Sequence, residues 1–294
     1  MKKTERSKSS AGRTSRASYR RHPMSLVQRI AVTASAVITF ATLVALLAYI
    51  LIMGVPNLKP GLFAWHYTSD NCSMTPAIIN TLLMVALSLL LSVPFGIGAA
   101  IYLVEYAKRG NKLVKVVRLT AETLSGIPSI VYGLFGYLMF VIALNMDKSM
   151  LAGALTLAIM VLPTILRTTE EALKAVPDSF REGSFGLGAG KLRTVFRIVL
   201  PSAVPGIFSG IILAIGRIVG ESAALLYTAG FGMALVSLFD SLHTSSATLT
   251  VALYVYATEG GETALAFSIA TILMLLTLLI NLSAVFLGRK LKKN

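Results

Sequence analysis

Two charged side chains stand in an apolar run of this chain, and they are its clearest candidates for chemistry. Residues 205–226 read PGIFSGIILAIGRIVGESAALL. Gly206, Gly210, Ala214, Arg217 and Glu221 follow at intervals of four, four, three and four, so on a helix they share one face. The small members let a neighbouring helix approach closely. The same stripe then carries an arginine and, one turn later, a glutamate. From a helix start near Ser202, a rise of about 1.5 Å per residue puts Arg217 roughly 22 Å into the run. Arginine at the centre of a membrane helix costs about 2.5–3.5 kcal/mol on the lowest scales, so it must face water, a partner or both. Two readings stay open. Arg217 and Glu221 neutralise each other, or snorkel outward. Alternatively Arg217 is a cationic site on an anion pathway, its planar fork matching an oxyanion, with Glu221 orienting the fork and preventing a permanent trap.

A second candidate is FGLGAGKLRT at 185–194, which has the look of a phosphate-cradling loop. A P-loop needs G-x-x-x-x-G-K-[ST]. Counting from Gly190 and Lys191, the first glycine position holds Phe185 and the hydroxyl position holds Leu192, so both ends fail. A third is SGIPSIVYGLFG at 125–136. Pro128 removes a backbone donor and kinks a helix. Ser129, Gly133 and Gly136 form a small-residue edge, which serves ordinary helix packing or a kinked pore-lining segment with Ser125 and Ser129 facing the pathway. Little else is available. The single cysteine, Cys72, cannot form an internal disulfide, and His22, His66 and His243 are scattered without metal-ligand spacing. No paired carboxylates or nucleophile–base set stands at catalytic spacing, which argues against an enzyme.

The elements that position these residues follow from composition. Of 294 residues, 55% are hydrophobic and 14% charged, with a mean hydropathy of +0.75. A soluble domain carries about 25% charged residues. The pattern is that of an all-α, multi-pass membrane protein in a lipid bilayer. A span needs about 20 mostly apolar residues, and six segments meet or approach this: Ile30–Met53, Ala77–Val104, Leu124–Leu144, Leu151–Leu166, Ala203–Val219 and Ala264–Leu287. The first run is too long for a signal peptide. The net charge of +14 has a topological meaning here and does not require nucleic acid. Of 27 Lys and Arg, all but Lys59, Lys148 and Arg217 fall in the tail and Arg29, in loop 105–121, in loop 167–200 or at the C-terminus. Basic loops are cytoplasmic, so both termini are expected on the cytoplasmic side and the number of spans is even. Segment 222–262 is then an extracytoplasmic excursion dipping against the bundle. Residues 1–23, rich in Ser, Lys and Arg, are expected to be a disordered basic tail, leaving 24–294 as the transmembrane domain. In loop 167–200, Thr169 is placed to cap a helix starting at Glu170, and a second short helix follows Pro177.

That loop carries a longer pattern. From Glu182 it reads E-G-S-F-G-L-G, then nine residues, then I-V-L-P at 198–201. This resembles the signature of importer-type ABC permeases: E-A-A, three residues, G, nine residues, I-x-L-P. The spacing matches; Gly183 and Ser184 stand where alanines are usual, and both are small. Together with SGIPSIVYGLFG, LPTILRTTEEALKAVPDSFREGSFGLGAGKLRTVFRIVLPSAVPGI and GRIVGESAALLYTAG, most of residues 77–287 is similar to the permease subunits of phosphate-specific (Pst) transporters, the A type above all. The resemblance implies six transmembrane helices with cytoplasmic coupling helices in a bacterial inner (cytoplasmic) membrane. It also implies a second permease subunit, two ATPase subunits that use ATP and Mg²⁺, and an extracytoplasmic phosphate-binding protein, with no cofactor bound by this chain. Residue by residue, Arg217, Glu221 and Arg167 match charged positions linked to phosphate passage. Glu182, Gly183, Ser184, Gly188, Gly190 and Lys191 fall in the ATPase contact. There the glycines permit a tight turn and close helix contact rather than cradling phosphate. The C-type subunit, permeases for sulfate or molybdate, and an ATP-independent carrier are the alternatives.

Overall fold

The computed structural model describes residues 23–291 apart from 69, 109, 234–237 and 260. Residues 1–22 of the expected tail 1–23, and the basic residues 292 and 293, lie outside the described residues; Pro23 already starts a helix. Among the described residues the chain is helical with no strand. It divides into two compact units, residues 1–53 and 54–294.

The first unit is the long helix α1, Pro23–Gly54, mostly apolar from Ile30 onward. Its side chains are almost all exposed. The hydroxyls of Ser35, Thr39 and Thr42 donate back to the carbonyls of Ala31, Ser35 and Ile38. This satisfies them without water, as a helix facing hydrocarbon requires.

The second unit is built around α5, Met150–Lys174, the most buried of the long apolar helices. Ser149 caps its start, accepting the Ala152 N–H. Around it lie α2 (Thr75–Tyr106), α3 (Lys112–Ser125), α4 (Ser129–Ala143), α6 (Asp178–Gly186), α7 (Lys191–Val219), α8 (Ala223–Thr228), α9 (Leu238–His243), α10 (Leu249–Thr258) and α11 (Thr263–Leu291). α5 packs on α2, α7, α4 and α3, while α10 and α11 pack on each other. Met84, Leu157, Val161, Ile165, Ala214, Ile218 and Leu225 share one core. Leu173, Val176, Val195 and Val199 anchor a second.

Among the described residues, five helices are long and apolar enough to cross a membrane, and the bent pair α3–α4 makes a sixth candidate. Three boundaries differ from expectation. The third span starts at Ser129 instead of Leu124, because Gly126-Ile127-Pro128 breaks the chain into two helices that bend by 105°. Pro128 kinks nothing: it ends one helix direction and starts another, its ψ of 142° being extended. α5 runs unbroken to Lys174, so Thr169 lies inside a helix and caps nothing. Pairs Arg167–Glu171 and Glu170–Lys174 at i,i+4 carry it past the apolar run, and Pro177 follows its end. α7 starts at Lys191, well before Ser202. The short helix after Pro177 is found as α6.

Among its described residues, segment 222–262 holds three short helices that lie against the others. α8 sits on α4 so closely that a Cβ on Gly133 would come within 2.7 Å of Ala224 Cα. The backbone entering α10 is satisfied by α2: Asn80 Nδ2 donates to Ala247 O (3.2 Å), and the Leu249 N–H donates to Thr81 Oγ1 (3.0 Å). Irregular backbone beside membrane helices survives only with such partners.

Candidate functional site

The depth of Arg217 follows from the contact between α5 and α7. A Cβ on Gly206 would meet Ala172, and one on Gly210 would meet Thr168. The two helices are therefore antiparallel in a register that sets Arg217 level with Val161. Val161 lies within the apolar run of α5, about 17 Å from Met150 and about 8 Å from Leu166 at 1.5 Å per residue. Arg217 is half-buried in the last turn of α7, where the helix dipole favours a cation. It makes no ion pair among the described residues. Its charge lies within electrostatic reach of Tyr132, whose hydroxyl donates to Leu124 O (2.8 Å) and pins the α3–α4 corner.

The pairing expected between Arg217 and Glu221 is not formed among the described residues. α7 ends at Val219, with Gly220 past its last turn, so Glu221 stands on a new segment. It is buried, and Oε1 accepts the Ala224 N–H (3.1 Å) at the start of α8. Its own carbonyl accepts from Thr250 Oγ1 (2.7 Å), tying α8 to α10. Glu221 therefore organises the excursion instead of orienting Arg217. The two small-residue edges serve packing: Gly206 and Gly210 seat α7 on α5, and Gly133 seats α4 on α8.

Arg167 and Ser125 are brought together elsewhere. They line one cavity of about 470 Å³ between α3 and α5, with Arg118, Glu170, Glu171 and Lys174. Arg167 Nε pairs with Glu171 at 3.3 Å, both side chains exposed. Ser125 Oγ donates to Glu122 O. Ser129 is half-buried in the first turn of α4 and does not line this cavity. Glu170 is only 8% exposed and holds both Arg118 and Lys174 at 2.6 Å, joining α3 to α5.

In the coupling segment, Glu182, Gly183, Gly188 and Gly190 are exposed. Gly188 adopts φ +80°, which requires glycine for the tight turn after α6. A Cβ on Gly183, Gly188 or Gly190 would meet nothing within 4 Å. The expected close helix contact at these glycines is therefore absent within this chain, and they bare an open surface. Lys191 starts α7 and lies over the Tyr106 ring at 5.2 Å. Ser184 is buried instead, and its Oγ bonds Thr194 Oγ1 (2.8 Å), joining α6 to α7. Beside the glycines, Phe185, Leu187 and Leu192 are exposed.

One residue escapes the sequence reading. Arg181, next to the motif glutamate, is largely buried and donates to Glu105 (2.7 Å), to Leu173 O and Val176 O at the end of α5, and to Asp178. It staples α6 to the ends of α2 and α5. Its signal in the sequence is a single basic residue in a short helix beside Asp178 and Glu182.

Residues 92–293 match the family described as binding-protein-dependent transport system inner membrane component. The chain belongs to this family. It is 33% identical over 276 residues to a probable ABC transporter permease protein YqgI of Bacillus subtilis, covering 88% of this chain and 92% of that one. It is 36% identical over 246 residues to the phosphate transport system permease protein PstA of Pasteurella multocida, covering 81% and 85%. In fold it matches a bacterial alginate ABC transporter solved with its alginate-bound periplasmic protein, at TM-score 0.66 and 15% identity, covering 94% and 98%. It is thus a multi-pass permease subunit of an ABC importer. It is non-catalytic, and ATP is hydrolysed by a separate subunit.

Proposed function

We propose that this chain forms half of the translocation pathway of an ATP-driven importer for inorganic phosphate. The observation that carries the reading is Arg217, level with the apolar run of α5 and without an acidic partner among the described residues. A cation there is stabilised when an anion passes, and an unpaired one releases it again. The likeness to PstA chains supports phosphate as the anion. In this reading Arg167 lies nearer the cytoplasmic exit. Glu182 and the glycine surface around Gly188 dock on the ATPase, and an extracytoplasmic phosphate-binding protein delivers the substrate to a pathway shared with a second permease subunit. Both chain termini are cytoplasmic, in a bacterial inner membrane.

The test is uptake by cells carrying Arg217→Gln, with Arg217→Lys as the conservative variant, sulfate uptake as control and complex assembly checked in the same cells. Phosphate uptake should fall with the complex intact and recover in part with lysine. Unchanged uptake would remove Arg217 from the pathway, and a matching dependence of sulfate uptake would replace phosphate as the substrate.

A further inference from the structure

A second cationic feature lies away from Arg217 and from the coupling surface. Helix α3 bends by 105° from α4, so if α4 crosses the bilayer, α3 lies close to the membrane plane. Its inner face, Val114, Val117 and Ala121, packs into the core with Leu173 and Val195. One outer flank exposes Leu113, Val116 and Leu119, each about 60% accessible. Thr120 and Thr123 on the same flank donate their hydroxyls back to Val116 O and Leu119 O, leaving their methyls outward. The other flank carries Lys115 and Arg118. Beside it is an open cavity of about 720 Å³ whose charged lining residues are Lys108, Lys112, Lys115, Arg118 and Lys174. No carboxylate lines it among the described residues, and Lys108, Lys112 and Lys115 make no ion pair there.

We propose that α3 is an interfacial helix and that this cavity holds the phosphate group of an anionic phospholipid of the cytoplasmic leaflet. An amphipathic helix with apolar residues on one flank and lysines on the other lies in a headgroup plane. Basic pockets on the cytoplasmic side take anionic headgroups. A free anion would use the cations but leave Leu113, Val116 and Leu119 against water. A lipid uses both flanks. The bound headgroup would also brace Arg118, and through Glu170 the junction of α3 with α5. The inference rests on the proposed orientation, with the coupling segment cytoplasmic, and not on phosphate as the substrate.

The test uses the intact transporter in mild detergent, titrated separately with phosphatidylglycerol and phosphatidylcholine, with bound lipid counted by native mass spectrometry. Wild type should retain phosphatidylglycerol preferentially. The variant Lys108→Gln/Lys112→Gln/Lys115→Gln should lose up to about 100-fold of that preference, taking about 1 kcal/mol per basic residue and 1.4 kcal/mol per decade. Equal retention of both lipids by wild type, or a preference untouched in the variant, overturns the proposal. Displacement of the lipid by inorganic phosphate would assign the cavity to a free anion. Shielding of these lysines from amine acylation by the ATPase, without anionic lipid present, would assign it to that partner. A failure of phosphate uptake to depend on Arg217 would leave the lipid result untouched.

Discussion

Replacing Arg181 by methionine tests whether the coupling helix is held rigidly by this chain. Arg181 is 14% exposed and Glu105 8%, so the pair is nearly dry. Methionine keeps the stem volume and removes five donors. It strands the Glu105 carboxylate and frees the carbonyls of Leu173 and Val176. Breaking a buried pair on one side costs about 3–5 kcal/mol. If that energy holds α6 in place, the opening equilibrium of α6 rises by about 100- to 3,000-fold at 1.4 kcal/mol per decade. Amide hydrogen exchange of residues 179–189 in the intact transporter reads this directly, because the Leu187 and Ala189 N–H groups bond within the segment, to Gly183 O and Ser184 O. Adding Glu105→Leu removes the stranded charge and should restore part of the protection, the freed carbonyls accounting for the rest. ATP hydrolysis should persist while uptake falls, since the motor stays and its linkage loosens. An increase in exchange below about tenfold in Arg181→Met would show that α6 is held by its apolar contacts and would refute the reasoning.

Two further outcomes concern packing. Gly133→Ala forces a Cβ against Ala224 Cα, backbone that cannot give, and should lower stability by about 1–3 kcal/mol, read as a lower melting temperature of the purified complex. A melting temperature equal to wild type would mean that α8 is not seated on α4. Thr169 Oγ1 is buried without a hydrogen-bond partner among the described residues, so the near-isosteric Thr169→Val should be neutral or should stabilise by up to about 1 kcal/mol in the same assay. A clear loss would reveal a partner for the hydroxyl in another subunit or a water.

The spans were legible because hydrocarbon thickness dictates the length of an apolar run, and the runs of α1, α2 and α11 are long enough to show it. What hydropathy hides is how far a helix continues once it leaves the bilayer. α5 loses its apolar character at Arg167 yet stays helical to Lys174, because nothing there breaks a helix and two i,i+4 pairs support it. α3 was hidden in a basic loop for the converse reason: it never needed to be apolar all round. Its signal was present in Val114, Val117, Ala121 and Leu124, spaced at three, four and three, the residues it turns inward.

The site was legible residue by residue but not in its pairings. Helical spacing places Arg217 and Glu221 on one face only if one helix contains both, and Gly220 comes between them. The consequence is chemical. A glutamate one turn away would hold Arg217 in a permanent pair; Glu221 is instead committed to the Ala224 N–H, and under the proposed function this leaves the guanidinium to an anion that comes and goes. The coupling motif separates in the same manner. Glu182 and Gly183 point outward, whereas their neighbours Arg181 and Ser184 turn inward and bond Glu105 and Thr194. One face of a nine-residue helix thus fixes it to this chain and the other stays bare. A helix attached only on its bare face would move with the ATPase and transmit nothing. If α6 docks on the ATPase as proposed, its staple through Arg181 to the ends of α2 and α5 would pass a push to both of those helices.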